Sequence, residues 1–240
     1  MKIINAFWEK RNLGVSTVEM VIDSKDPLET VLKEIESIKA EYIVIKVPVS
    51  RFDINKMLID KNFNYIEGSC NFVLNLSEAK LSPFQERLNK TIYYSPMNSD
   101  ETVILFEEIR KGLFKTDRIY LDDFFTKEKA SERYVKWIED ELSRTTEIFK
   151  ITLKEETIGF FSFKQTDEIT YYPFLAGLYE KYAQSGLGFV TLRKPIEEAI
   201  KRGGKKISTY ASTNNLPVIK AHIQQGFNIN EILYVFVKHI

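Results

Sequence analysis

The stretch YEKYAQSGLGFVTLRKPIEEAIKRGG, residues 179–204, restricts the fold more than any other part of the chain. There are ten glycines in 240 residues, yet Gly186 and Gly188 stand two apart, between an aromatic run and an amphipathic segment. Phe189, Leu192, Ile196 and Ala199 form one apolar stripe at helical spacing, and Gly203 with Gly204 stops it. A strand, a Gly-x-Gly turn and a helix in that order leave backbone N–H groups uncapped at a positive dipole end, where an anion binds. Glycine at 186 and 188 removes the Cβ atoms that would hold a phosphate away, and Ser185 adds a hydroxyl donor. Pro195 deletes a backbone bond inside this helix and is placed with Thr191 and Glu198 on its polar side. Neither standard nucleotide fingerprint fits. Gly188 is followed by Phe189 rather than Lys-Ser/Thr, and position 191 is Thr where a third glycine belongs.

Periodicity places this turn in an α/β frame. In residues 1–80, VSTVEMVID reads as a strand, DPLETVLKEIESIKA as a helix with Asp26 as N-cap and Pro27 in its first turn, and EYIVIKVPV as a strand. The helix FDINKMLIDKN and the strand YIEGSCNFVLNL follow. This β-α-β-α-β order predicts a small α/β domain over residues 1–85, left through the polar segment SEAKLSPFQERLNK. Residues 86–240 begin with two helices, DETVILFEEIRKGLF and ASERYVKWIEDELSR. Then come two β runs joined by KEET, the long strand EITYYPFLAGLYE, the glycine turn with its helix, the strand KKISTYAS, the helix LPVIKAHIQQ and the strand EILYVFVKH.

Residues 54–76 and 218–240 superimpose without a gap, bringing Lys56, Ile59, Phe63, Asn64 and Glu67 onto Lys220, Ile223, Phe227, Asn228 and Glu231. Asn62 falls on Gly226, and both tolerate the left-handed conformation that closes a helix. Two explanations stand: helix-turn-strand units look alike, or a half-fold has been duplicated. Leu58 takes the place of His222.

The charge balance limits the partners. Lys+Arg and Asp+Glu are both 34, with a pI near 6.8, so neither a nucleic-acid nor a membrane-surface partner is expected. One cysteine, Cys70, and two histidines, His222 and His239, are too few for a cysteine or multi-histidine metal site, and none is expected. MKIINAFWEKRNLG lacks the apolar core of a secretion signal, which makes a cytoplasmic location the expectation.

Taken in order, a strand, Tyr182, the run Gly186-Leu187-Gly188, Asn215 ahead of a helix, and a closing Gly226-Phe227 resemble the acetyl-coenzyme A signature of the GCN5-related N-acetyltransferase (GNAT) superfamily. The likeness covers about residues 90–240. It departs from the pattern at Ala183, where the family usually carries Gln or Arg, and at His222, where it carries Tyr. FWEKRNLGVSTVEMVID, LIDKNFNYIEGSCNFVLNL and ASERYVKWIEDEL look like the corresponding parts of the dTDP-fucosamine acetyltransferases, two-domain members of the superfamily.

The resemblance implies an α/β (α+β) GNAT fold: a mixed, mostly antiparallel sheet with a splayed central strand, flanked by helices, over residues 86–240. The smaller N-terminal α/β domain, residues 1–85, is then a degenerate half-GNAT without a cofactor site. The implied cofactor is acetyl-CoA. Its pyrophosphate would lie on Gln184, Ser185, Gly186, Leu187 and Gly188, and its pantetheine arm against the backbone of Gly177 and Leu178, with Asn215 nearby. The implied acceptor is a primary amine, of a nucleotide-linked amino sugar in the first reading and of a peptide, polyamine or small molecule in the second. A module that holds CoA without turnover is the third.

His222 shares a helix face with Asn215 and Ile219, and an ordinary imidazole pKa of roughly 6.5 suits proton delivery to the leaving thiolate. Its other reading is a histidine packed in the core. Tyr171, Tyr172, Phe174, Tyr179 and Tyr210 are divided between sheet packing and stacking on an acceptor. Asp122 and Asp123 are divided between an amine-attracting loop and a helix entry.

Overall fold

The computed structural model describes residues 1–144 and 146–240. In chain order its elements are β1 (Lys2–Asn5), α1 (Trp8–Leu13), β2 (Thr17–Val21), α2 (Leu28–Ser37), β3 (Tyr42–Pro48), α3 (Phe52–Asp60), β4 (Asn64–Asn75), α4 (Pro83–Asn89), β5 (Ile92–Pro96), α5 (Ser99–Arg110), α6 (Arg118–Leu121), α7 (Lys127–Leu142), β6 (Glu147–Leu153), β7 (Glu156–Gln165), β8 (Thr170–Tyr172), β9 (Ala176–Leu178), α8 (Val190–Lys201), β10 (Lys206–Ser212), α9 (Leu216–Gln224) and β11 (Asn228–His239). No helix among the described residues is long and apolar enough to cross a membrane.

Local chemistry accounts for most helix starts. Asn98 with Glu101 and Ser82 with Gln85 form reciprocal capping boxes on α5 and α4, and Thr126 and Asp117 cap α7 and α6. The segment SEAKLSPFQERLNK thus carries a short helix of its own. Asp26 does not cap α2: Pro27 occupies that place, and the Asp26 carboxylate binds the Met1 amino group and the Asp23 N–H. Strands β1 and β5 and helices α1 and α6 are additions to the elements read from sequence.

The strands form one sheet in the order β1-β2-β3-β11-β4-β10-β8-β7-β6-β5, with β9 paired to β7 off this path. It is mixed and mostly antiparallel, β2–β3 and β8–β10 being parallel. The order crosses the sequence boundary near residue 85: β4 lies between β11 and β10, and β11 between β3 and β4. Each half of the chain therefore gives its last strand to the other half.

This exchange is symmetric. Adding 164 to a residue number carries β3 onto β10, α3 onto α9 and β4 onto β11, end to end. The pairings follow the same shift. Lys206 faces Asn75 and Ser212 faces Ser69, while Tyr42 faces His239 and Pro48 faces Leu233. Between β4 and β11, Val73 faces Asn228 and Asn64 faces Val237, with Ser69 opposite Leu233 at the centre. Even the two bulges, which skip Ile66 and Asn230, are related by the shift. Asn62 and Gly226 both have positive φ, 60° and 96°, closing α3 and α9 alike. Similar helix-turn-strand units do not by chance share register and bulges across a common axis, so the repeat is structural.

The apolar layers follow the halves. One cluster joins Met20, Val31, Ile45, Ile54, Leu58 and Phe236; the largest joins Phe72, Phe161, Phe163, Val190, Ile196 and Phe227. Each contains a phenylalanine donated by the exchanged strand of the other half.

Candidate active site

The sheet opens where β8 gives way to β9. Tyr171 still pairs with Ile207 on β10, but Pro173 has no N–H to donate, and after it the strand pairs with β7 alone. Ser162 holds the bend by donating to Leu175 O (2.9 Å) and accepting from Leu175 N–H (2.7 Å), while Thr209 Oγ1 donates to Pro173 O (2.9 Å). Glycine is required beneath it, since a Cβ on Gly159 would lie 2.4 Å from Gly177 O. The edge of β9 that faces away from β7 has no strand partner, which leaves backbone groups around Gly177 and Leu178 turned into a cleft of about 880 Å³. EITYYPFLAGLYE, read as one long strand, is thus two short ones with the splay between them.

At one end of the cleft lies the glycine turn. Gly186 has φ +76°, and a Cβ on Gly186 or Gly188 would meet nothing within 4 Å. Among the described residues, the N–H groups of Gln184, Gly186, Gly188 and Phe189 donate to no protein acceptor. Two expected contacts are spent internally: Ser185 Oγ donates to Tyr182 O (2.6 Å) and accepts from Leu187 N–H (3.2 Å), and the Leu187 side chain is buried in the core. Gly188 and Ala183 line the cleft, with Thr191 and Leu192 from the first turn of α8. Pro195 and Glu198 face the protein, not solvent: Glu198 is 3% exposed and binds Arg202 and the Tyr94 hydroxyl.

Asn215 and His222 both line the cleft. Asn215 caps α9, its Oδ1 accepting from Val218 N–H (3.3 Å). His222 is 2% exposed, stacked on Phe72 (centroids 4.4 Å apart) and edge-on to Phe227. Its Nδ1–H donates to Val218 O (2.7 Å), and its Nε2 has no partner. Burial brings its pKa down to about 4. At neutral pH the ring is therefore uncharged with a bare lone pair at Nε2, and the expected role of general acid does not fit it. The symmetry gives the reason: Leu58 fills the equivalent hole against Phe63 and Phe236. Because the folded pKa lies below the ordinary 6.5, the contribution of His222 to stability is complete above pH 6.5 and is lost as pH falls toward 4. The loss is on the order of 3 kcal/mol. His222→Leu should therefore flatten the decline of Tm between those pH values relative to wild type, as measured by thermal denaturation; parallel declines would refute it.

The other end of the cleft is polar and was missed by motif reading. Arg133 Nε donates to both oxygens of the fully buried Glu9 (2.9 and 3.0 Å), and Arg118 lies 3.6 Å from the same carboxylate while also binding Glu19. Lys46 completes the cluster at 3.0 Å from Glu19. Burial pushes Glu19 up, but Arg118 and Lys46 more than offset it, bringing it to about 2. Glu67, 8% exposed, accepts from the Arg118 backbone N–H (3.1 Å), lies near the Ser212 hydroxyl, and has no ion-pair contact among the described residues. Trp137, Phe174, Tyr172 and Tyr210 wall this end, whereas Tyr171 and Tyr179 belong to the core. Asp122 lies outside the cleft, tied to His239 (2.8 Å) and the Phe124 N–H. The only sequence signal for Glu67 was its place in the repeat, opposite Glu231.

No protein-family model and no curated protein matches this sequence. Solved structures do match. A conserved protein of unknown function from Staphylococcus epidermidis ATCC 12228 aligns with a TM-score of 0.67 at 12% identity, over 93% of this chain and 84% of that one. A GCN5-related N-acetyltransferase from Sphaerobacter thermophilus aligns at 0.59 and 9% identity, over 88% and 64%. A tandem GNAT protein from the clavulanic acid biosynthesis pathway aligns at 0.57 and 10% identity, over 93% and 75%. At these identities the likeness is one of architecture: the chain adopts the fold of the GCN5-related N-acetyltransferases.

Proposed function

We propose that this protein is an acetyl-CoA-dependent N-acetyltransferase acting on a primary amine. The carrying observation is the continuity of the splay: the unpartnered edge of β9 lies in the cleft that Gly188 also lines, within the turn before α8 whose N–H groups at Gln184, Gly186, Gly188 and Phe189 donate to no protein acceptor. A pyrophosphate fits the N–H groups of Gln184, Gly186, Gly188 and Phe189. The pantetheine arm fits the Gly177–Leu178 edge, and a backbone N–H there is the donor for the oxyanion that forms when the amine attacks the thioester carbonyl. Acetyl-CoA supplies the acetyl thioester; the protein supplies orientation and a path for protons.

For the acceptor, the charges favour the second of the two readings from sequence. A nucleotide-linked amino sugar brings a diphosphate, which calls for free cations. Each of the cleft's described cations, Lys46, Arg118, Arg133 and Arg144, already has a carboxylate partner. Glu67 and Glu231 line the same space, and neither makes an ion pair with a described residue. A cationic amine lacking phosphate, such as a free amino sugar, a polyamine or a peptide amine, suits this lining and its aromatic walls.

The test is release of free thiol from acetyl-CoA with glucosamine, spermidine, a lysine peptide and a dTDP-linked amino sugar as acceptors. Turnover confined to the phosphate-free amines is expected. Turnover on the sugar nucleotide alone would restore the first reading. Tight acetyl-CoA binding with no thiol release from any acceptor would make the protein a CoA-holding module, and absence of binding would sink the proposal.

A further inference from the structure

Resting on the acetyl-transfer reading, we propose that Glu67, on the strand that the N-terminal half inserts beside β10, takes the proton from the acceptor's ammonium group. The carboxylates of the cleft can be eliminated one by one. Glu19 is bound to both Arg118 and Lys46. Glu141 is engaged by Lys164 (2.8 Å) and Thr146 (2.8 Å), and Asp140 by Arg11 (2.7 Å). Asp117 is only half-buried and caps α6 through the Tyr120 N–H (3.1 Å). Glu231 is exposed to solvent. Among the described carboxylates of the cleft, Glu67 alone is buried and has no ion-pair contact, Arg118 acting on it only from beyond that distance.

Backbone geometry aims it there. The bulge at Ile66 shifts the register so that Val235 faces Glu67 and Phe236 faces Tyr65, and next along the strand Gly68 is locked to Thr213 just beyond the end of β10. Strand β10 is the wall of the splay opposite β9, so Glu67 stands at the end of the wall along which the thioester would lie. The groups that face it are Arg118 and Asp117 at the start of α6, Ser212 at the end of β10, and Tyr134 on α7, with Glu231 of β11 lining the same cleft. Burial raises its pKa and the Asp117 charge adds to the rise, while the Ser212 hydroxyl and the charge and backbone N–H of Arg118 oppose it, leaving the pKa raised. A carboxylate so placed binds protons more readily than one in water, as a base near neutrality should.

The protons balance. The ammonium gives one proton to Glu67 and on to solvent, and the free amine forms a C–N bond to the thioester carbonyl. The tetrahedral adduct then breaks its C–S bond. A second proton from the amine nitrogen goes to the departing sulfur, and the third stays on the amide. Neutral His222 is not needed as a donor.

The experiment compares wild type, Glu67→Gln and Glu67→Asp in thiol release with acetyl-CoA and propylamine, 1,4-diaminobutane or glucosamine between pH 5.5 and 9.5, alongside acetyl-CoA binding. For wild type, kcat/KM should fall as pH drops through the raised Glu67 pKa. Glu67→Gln should lose roughly 10²- to 10⁴-fold at pH 7.5, regain rate as pH rises and the amine deprotonates unaided, and keep its acetyl-CoA affinity. Glu67→Asp should retain part of the activity. A Glu67→Gln enzyme with wild-type rate and an unchanged pH profile would overturn the assignment while leaving acetyl transfer intact. A wild type that neither binds acetyl-CoA nor releases thiol with any of these amines would overturn both.

Discussion

Gly188→Val should abolish acetyl-CoA binding in a protein that remains folded. Gly188 lines the cleft, does not adopt a left-handed φ, and has nothing within 4 Å of where its Cβ would stand. The valine therefore costs no backbone strain and its Cβ meets no protein atom within 4 Å; the side chain fills the space in which a pyrophosphate would reach the N–H groups of Gly186, Gly188 and Phe189. Each lost charge-assisted hydrogen bond is worth about 1.5–3 kcal/mol. Losing two weakens binding by roughly 10²- to 10⁴-fold. Gly186→Val is a poorer probe, because φ at Gly186 is +76° and a β-branched residue there strains the turn whether or not a ligand binds. Calorimetric titration with acetyl-CoA and a Tm within about 2 °C of wild type are the expected pair of results. A folded variant with near-normal affinity would move the cofactor away from this turn.

The features that sequence made legible are those encoded within a few residues. The glycine turn, the stripe of α8, the helix opening after Asn215 and the left-handed closures at Asn62 and Gly226 each depend on neighbours in the chain. The splay was legible only through the resemblance, since its cause, a proline that cannot donate backed by Ser162 eleven residues away, has no local signature. The exchange of β4 and β11 was beyond reach for a different reason. Both strands are apolar and equally able to pair with β3 or β10, and nothing local records which half they join. The repeat between residues 54–76 and 218–240 carried that information, but it becomes decisive only when the pairings of Ser212 with Ser69 and Pro48 with Leu233 are seen to obey the same shift.

His222 shows that the placement of a side chain and its protonation are decided by different parts of the chain. The spacing put it beside Asn215 on the face that lines the cleft, where the structure has it. Its protonation follows from burial, to which Phe72 contributes by arriving on the exchanged strand and stacking on the ring. The polar end was hidden by the same separation: its residues come from positions 9, 19, 46, 67, 118 and 133, and no two of them are close in sequence.

That scattering makes Glu9 the residue whose loss should be felt most in stability. Its carboxylate is fully buried, lies on α1 at the start of the N-terminal half, and holds Arg133 of α7 and Arg118 of α6 together. Both guanidiniums are buried with it. Glu9→Gln keeps the volume but leaves two adjacent cations with Glu19 as their remaining carboxylate. Removing one partner of a buried ion pair typically costs about 3–5 kcal/mol, which for a chain of this size lowers Tm by roughly 6–20 °C. The damage arises from the uncompensated charge more than from the lost contact, so Glu9→Gln combined with Arg133→Met should be more stable than Glu9→Gln alone, although it lacks more native interactions. Thermal denaturation of the wild type, both single variants and the double variant measures this coupling directly. A Glu9→Gln protein melting within about 2 °C of wild type would mean that Glu19 and solvent already balance the two arginines, and that the cluster shapes the cleft without holding the halves together.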